Sequence, residues 1–264
     1  MGLFDFLKKK QRPTSQEASE DRTLVSPEKE PFLGDLDKTT IIHKLLKKPT
    51  EQRDEAWSEK FLANIGLASF RCGDPQVITG PDGYPYFQLF LPEPKKEFEC
   101  FVIRNMTKDL LLDGGLGVVI NPGEYDADWV LSYGDILNYH LNQEFVTIDD
   151  QLFSKPSDPQ TFEEGEEVHV GQPSENLLPR EVRKLLAELF RNNGVDNAKI
   201  LLLLRTYDGG ASTSHDIAFN VTPADFSSEE LYEEVMETIR WYLPRHYSYM
   251  SIDESVFKDD FEPL

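Results

Sequence analysis

Between residues 179 and 252 the apolar residues change their period three times, and each change dictates a different backbone. Val182, Leu185, Leu186, Leu189 and Phe190 recur at helical spacing, entered through Pro179 and ended by Asn193-Gly194. Lys199-Ile200-Leu201-Leu202-Leu203-Leu204 is then a continuous apolar run of strand length, and Ile217-Ala218-Phe219-Asn220-Val221 follows across a Gly209-Gly210 loop. The two runs predict an antiparallel pair. Ser227 and Glu230 have the spacing of a capping box ahead of Leu231, Val235 and Ile239, a face that runs to Leu243 before Pro244. Tyr247 to Ile252 reads as a returning strand. Helix, strand, strand, helix, strand is neither an all-helical nor an all-strand order, so the expected class is α+β.

The N-terminal half changes period in the same way. Ile41, Ile42, Leu45 and Leu46 are helical, as are Trp57, Phe61, Leu62 and Ile65 after Pro49, with Thr50 placed to cap the second helix. From about residue 69 the pattern becomes strand-like. Gly80-Pro81-Asp82-Gly83 supplies turn chemistry between Gln76-Val77-Ile78 and the run from Tyr84 to Leu91, which predicts a hairpin. Residues 98–103, Val118-Val119-Ile120 and Trp129-Val130-Leu131 read as further strands, and Gly134 to Leu141 as a short helix started near Ser132 or Asp135. No internal repeat is visible.

Seven acidic residues, one lysine and two prolines between 149 and 167 mark a boundary. The expected organisation is therefore a disordered arm over 1–38, rich in Lys, Glu, Pro, Ser and Gln. An N-terminal α+β domain follows over 39–150, an acidic linker over 151–167 and a C-terminal α+β domain over 168–264. Each domain is expected to be a mostly antiparallel sheet packed with helices.

The formal charge is −21, from 27 Lys+Arg against 48 Asp+Glu. Such a field repels nucleic-acid phosphates and anionic lipid; it suits plain solubility and also the docking of a basic protein partner. No apolar stretch has the length of about 20 residues that a membrane-spanning helix needs. The opening Met1-Gly2 lacks the Ser or Thr that myristoylation wants at the sixth position, where Phe6 stands, and the apolar Leu3 to Leu7 followed by three lysines makes at most a weak surface anchor. Cys72 and Cys100, with no CxxC spacing, point to a reducing compartment and a cytoplasmic protein.

Gly171-x-Pro173 before the third long helix, Val195-Asp196-Asn197-Ala198 entering the strand run and Ser251-Ile252-Asp253 near the end resemble landmarks of one family. It is the SseB-like, or enhanced serine sensitivity, C-terminal domain family of bacterial proteins. The resemblance covers about 95 residues, Val168 onward. It implies a small bacterial cytoplasmic α+β module, and it carries no catalytic residue to this chain.

The richest chemical constellation is Tyr125-Asp126-Ala127-Asp128-Trp129 with Ser132-Tyr133-Gly134-Asp135. Paired carboxylates beside aromatic rings are what glycoside cleavage uses, so Asp126, Asp128 and Asp135 are candidate catalytic residues and Tyr125, Trp129 and Tyr133 candidate binding residues. The same residues equally suit turn, core and helix-cap roles. Ser214-His215-Asp216 has the letters of a triad, but adjacent residues on a strand alternate faces. Asp113 to Gly117 lacks the lysine and following helix of a phosphate loop. Phe87, Phe90, Phe98 and Phe101 suit either a core or an exposed face. The five histidines have no metal-ligand spacing, and no metal or cofactor is expected. The function these observations favour is a non-catalytic bacterial protein-interaction module with an acidic surface, of the immunity or accessory kind. The alternative is a hydrolase-type enzyme using the carboxylates near 126–135.

Overall fold

The computed structural model describes residues 32–264 other than 125, 149, 151, 156–166, 208–211 and 258. Residues 1–31 of the expected arm, most of the expected linker and Tyr125 therefore lie outside the described residues. The chain divides into Met1–Phe32 and Leu33–Leu264, and every described helix and strand belongs to the second unit.

The architecture is α+β, with two mixed sheets and six α-helices among the described residues. Helix α1 (Leu36–Leu45) begins inside the segment expected as arm. Asp35 caps it, accepting from Asp37 N at 2.9 Å and Lys38 N at 3.1 Å, while Asp35 N donates to Leu67 O at 2.8 Å. Helix α2 (Glu55–Ile65) starts one turn later than expected. Thr50–Gln52 forms a 3₁₀ turn, and Asp54, not Thr50, caps α2 through Trp57 N at 2.9 Å. Arg53, between them, is extended and pinned by its guanidinium to Lys48 O and Asp128, which holds the two turns apart.

The expected hairpin is present as β1 (Arg71–Thr79) and β2 (Pro85–Phe90), closed by Gly83 N donating to Gly80 O at 3.0 Å. Gly83 has φ +85, a conformation that glycine enters without a Cβ penalty. Residues 98–103 are not a strand. They make one antiparallel bridge, Phe70 with Phe101, and then enter helix α3 (Ile103–Met106), which continues as a π-helical turn over Thr107–Leu112. The physical reason is the downstream pattern: Ile103, Met106, Thr107, Leu111 and Leu112 are buried while Lys108–Leu110 face water, a helical period and not a strand period. Strands β3 (Gly117–Pro122) and β4 (Ala127–Leu131) complete a sheet ordered β1-β2-β3-β4, with β2 and β3 parallel across the α3 crossover. Helix α4 (Tyr133–Asn142) follows, capped by Ser132 as expected.

The second sheet is ordered β5 (Glu167–Gly171), β6 (Lys199–Tyr207), β7 (Ser212–Phe219), β8 (Tyr249–Ser251), with β9 (Glu262–Pro263) also on β6. Helix α5 (Arg180–Asn192) sits where the period placed it and buries Val182, Leu186 and Phe190. Each such side chain contributes roughly 1.5–3 kcal/mol on leaving water. Helix α6 (Glu229–Tyr242) is capped by Ser228, one residue beyond the expected Ser227, with Ser228 Oγ accepting from Leu231 N at 3.2 Å. It is the crossover that lets β7 and β8 run parallel.

Residues from both halves fill one main core. Phe190 packs on Phe219 at 5.4 Å, and Trp241 of α6 stacks on Tyr84 at 4.4 Å and meets Tyr86 edge-on at 6.1 Å. Phe153, from the segment read as linker, is buried and stacks on Tyr247 at 4.2 Å. A smaller cluster of Leu201, Leu203, Ala218 and Phe261 covers the other face of the second sheet. Among the described residues no helix is long and apolar enough to cross a membrane.

Candidate functional site

The stretch 123–135 is a turn, a strand and a helix cap, and this local structure sends its carboxylates in different directions. Gly123 N donates to Asp126 O at 2.7 Å, closing the turn between β3 and β4, and Asp126 faces water. Asp128, on β4, is locked from two sides. Arg53 Nη2 donates to its Oδ1 at 2.7 Å and Asn121 Nδ2 to its Oδ2 at 2.9 Å. Arg53 in turn lies over the Trp57 ring at 4.8 Å, so the cation is held by a ring as well as by the carboxylate. Trp129 packs at 5.5 Å from Trp57 and 5.1 Å from Phe61. It is part of the aromatic layer over α2 and not a free platform.

Asp135 is completely buried and forms a capping box with Ser132: its Oδ2 accepts from Ser132 N at 2.9 Å, and its own N donates to Ser132 Oγ at 3.1 Å. Arg245, 110 positions later, grips the same carboxylate through Nε and Nη2, both at 2.7 Å. That hydrogen-bonded carboxylate holds the Arg245 guanidinium above its ordinary pKa. Tyr133 is buried beside them, its hydroxyl donating to Leu112 O at 3.3 Å, and burial pushes its phenol well above the ordinary tyrosine value. Asp128, Trp129, Tyr133 and Asp135 are thus bound into the frame while the Asp126 side chain points to water, and Asp128 and Asp135 share no partner.

The other sequence candidates are equally structural. Ser214 and Asp216 lie on one face of β7 and His215 on the other. Ser214 and Asp216 are buried with Arg205: Ser154 Oγ donates to Asp216 Oδ2 at 2.8 Å and sits 2.7 Å from Ser214 Oγ, and Arg205 Nη1 stands 3.9 Å from Asp216. Phe87 is buried against Phe101 at 5.6 Å, Phe90 lies under Arg71 at 4.6 Å, and Phe98 is exposed. Cys72 and Cys100 are free thiols. Among the described residues no group of three or more His, Cys, Asp and Glu is placed to hold a metal ion.

The concave surface lies elsewhere. A groove of about 1020 Å³ lies along α6 and is also lined by Ile148, Asp150 and residues 153–155 and 243–249, the last of them on β8. Tyr232, Met236 and Tyr249 supply its apolar lining, and Glu233 and Glu237 its acidic rim. Burial lowers the pKa of His246, which also lines the groove. Two smaller hollows, of about 780 Å³ beside Asp196, Asp225 and Glu254 and about 700 Å³ beside Arg180 and Lys184, flank the second sheet. None of the three is lined by Asp126, Asp128 or Asp135. Sequence reasoning missed the groove because its walls are 80 or more positions apart in places. The only local signal was the density of glutamates along α6. No family model matches the chain, and no curated protein and no solved structure matches it significantly.

Proposed function

We propose that the chain is a non-catalytic, cytoplasmic protein-interaction module that presents an acidic surface to a basic partner, in the manner of an immunity or accessory protein. The observation that carries this reading is the outer face of α6. Glu229, Glu230, Glu233, Glu234 and Glu237 are all exposed there, and among the described residues Glu237 alone has an ion-pair partner, Arg240 at 3.7 Å. Two carboxylates at a helix N-terminus are favoured by the helix dipole; those at 233, 234 and 237 lie beyond its reach and gain nothing from it. Unpaired like charges on one face cost folding free energy, and the compensation on offer is steering and selection of a cation-rich partner.

Support also comes from how the alternative's residues are used. A hydrolase needs two carboxylates facing one substrate, whereas Asp128 is committed to Arg53 and Asp135 to Arg245. The short landmarks by which residues 168–264 resemble SseB-like domains bring no catalytic residue to this reading. The test is capture of partners from native lysate by the tagged full-length protein at low and raised salt. A basic protein that elutes as salt shortens the Debye length from about 10 Å towards 3 Å supports the reading. Equal capture by a variant with Glu233, Glu234 and Glu237 changed to Lys contradicts it.

A further inference from the structure

Strand β8 ends its sheet. It pairs with β7 on one side, and among the described residues no strand lies on the other. The backbone ladder to β7 extends beyond its three residues, through Ile217 N to Ser248 O and Ile252 N to Phe219 O, both at 2.9 Å. An edge of this kind presents unpaired N–H and C=O groups, which proteins ordinarily blunt with lysine, proline or a covering element. Residues 248–252 are Ser-Tyr-Met-Ser-Ile, with neither charge nor proline.

Helix α6 is fastened to this strand through side chains. The Tyr249 hydroxyl donates to Met236 O at 2.8 Å, and the Tyr232 hydroxyl and Ser251 Oγ share a hydrogen bond of 2.5 Å. The groove between helix and strand is therefore a formed feature held by side chains, about 1020 Å³ in volume. An edge strand fastened to a helix, with a groove of mixed apolar and charged lining beside them, is an arrangement by which extended peptides are captured as an added strand: main-chain hydrogen bonds supply affinity and side-chain pockets specificity.

The charges of the groove decide what such a peptide carries. Its cations have partners already: Arg240 stands 3.7 Å from Glu237, Arg245 bonds Asp135, and Lys155 has an interaction of its own. Asp150 accepts from Leu152 N and Phe153 N. Glu233 has no ion pair among the described residues, and Glu229, Glu230 and Glu234 continue the same sign along the exposed helix. We propose that the groove between α6 and β8 binds an extended segment of the partner as an additional strand on β8, with a lysine or arginine of that segment against Glu233. This rests on the acidic-surface reading and assigns it a place and a binding mode.

The probe is an acetylated, amidated hexapeptide of alternating lysine and valine, titrated into the isotopically labelled full-length protein. The expected result is saturable binding, with amide shifts concentrated at 248–252 and 232–240. Glu233→Lys should weaken it about fivefold, as an exposed charge pair is lost and reversed. N-methylation of the valines, which removes strand-forming donors, should weaken it about tenfold. Asp196→Lys, distant in the other acidic hollow, should leave it unchanged. Absence of binding, shifts centred elsewhere, or indifference to N-methylation or to Glu233→Lys overturns the groove. A salt-dependent basic partner captured from lysate alongside any of those outcomes means that the groove alone has failed. No such partner means that the acidic-surface reading itself has failed.

Discussion

Asp135→Asn separates a structural carboxylate from a chemical one. The native side chain is fully buried and accepts three hydrogen bonds, two from Arg245 and one from Ser132 N. The amide keeps one acceptor oxygen, loses the charge and turns an NH₂ towards a guanidinium that is itself only a donor. Removing one member of a fully buried ion pair costs about 3–5 kcal/mol. The Arg245 side chain is 56% exposed, so water recovers part of its solvation, and the expected loss is nearer ~2 kcal/mol. Asp135→Ala also removes the reciprocal half of the capping box, for roughly 1 kcal/mol more. For a folded unit of this size ~2 kcal/mol corresponds to a fall in Tm of about 4–8 °C. Thermal unfolding followed by circular dichroism, with urea midpoints, measures it. A cycle with Arg245→Ala should return a coupling of roughly 1–2 kcal/mol. An Asp135→Asn protein whose Tm is unchanged would refute the reasoning, since the pair would then hold nothing together.

Three further outcomes are expected. Gly134→Ala should destabilise by about 2 kcal/mol or more, because a Cβ there falls 2.0 Å from Leu243 O, a backbone atom at the end of α6 that cannot swing aside; urea denaturation checks it. Ser228→Ala should cost about 1 kcal/mol while Ser227→Ala costs almost nothing, since only Ser228 caps α6; equal losses would mean that the cap is misplaced. The His246 pKa is lowered by burial in the folded state, so below about pH 6.5 the unfolded chain binds the proton more readily and stability falls as pH drops through the folded value. His246→Phe should flatten that part of the stability–pH curve, and an unchanged slope would assign it to other groups.

How much of this was legible in the sequence divides along physical lines. Helix α5, the β6–β7 pair and the β1–β2 hairpin were readable because each is specified locally, by a 3.6 period with Pro and Asn-Gly at its ends, by a six-residue strand run, or by Gly-Pro-Asp-Gly. Errors fell where two local signals compete. Phe98 to Ile103 is an aromatic and β-branched run of strand length, yet its final residue belongs to the helical face that continues to Leu112. Thr50 and Asp54, and Ser227 and Ser228, are pairs of chemically adequate caps, and tertiary anchoring of Arg53 and the start of α6 chose between them. The roles of Asp128 and Asp135 depend on Arg53 and Arg245, 75 and 110 positions away, and no spacing rule reaches that far. The groove likewise exists only once the α6 crossover has laid the helix beside β8.

The central claim is that the acidic face of α6 recognises a basic protein. Partner capture from native lysate, with the full-length chain and with its Glu233, Glu234 and Glu237 to Lys variant side by side across a salt series, tests it most directly. The account predicts a cationic protein that is retained by the native chain at low salt, released as salt rises, and lost from the variant. Retention of the same proteins by both chains, or indifference to salt, would contradict it.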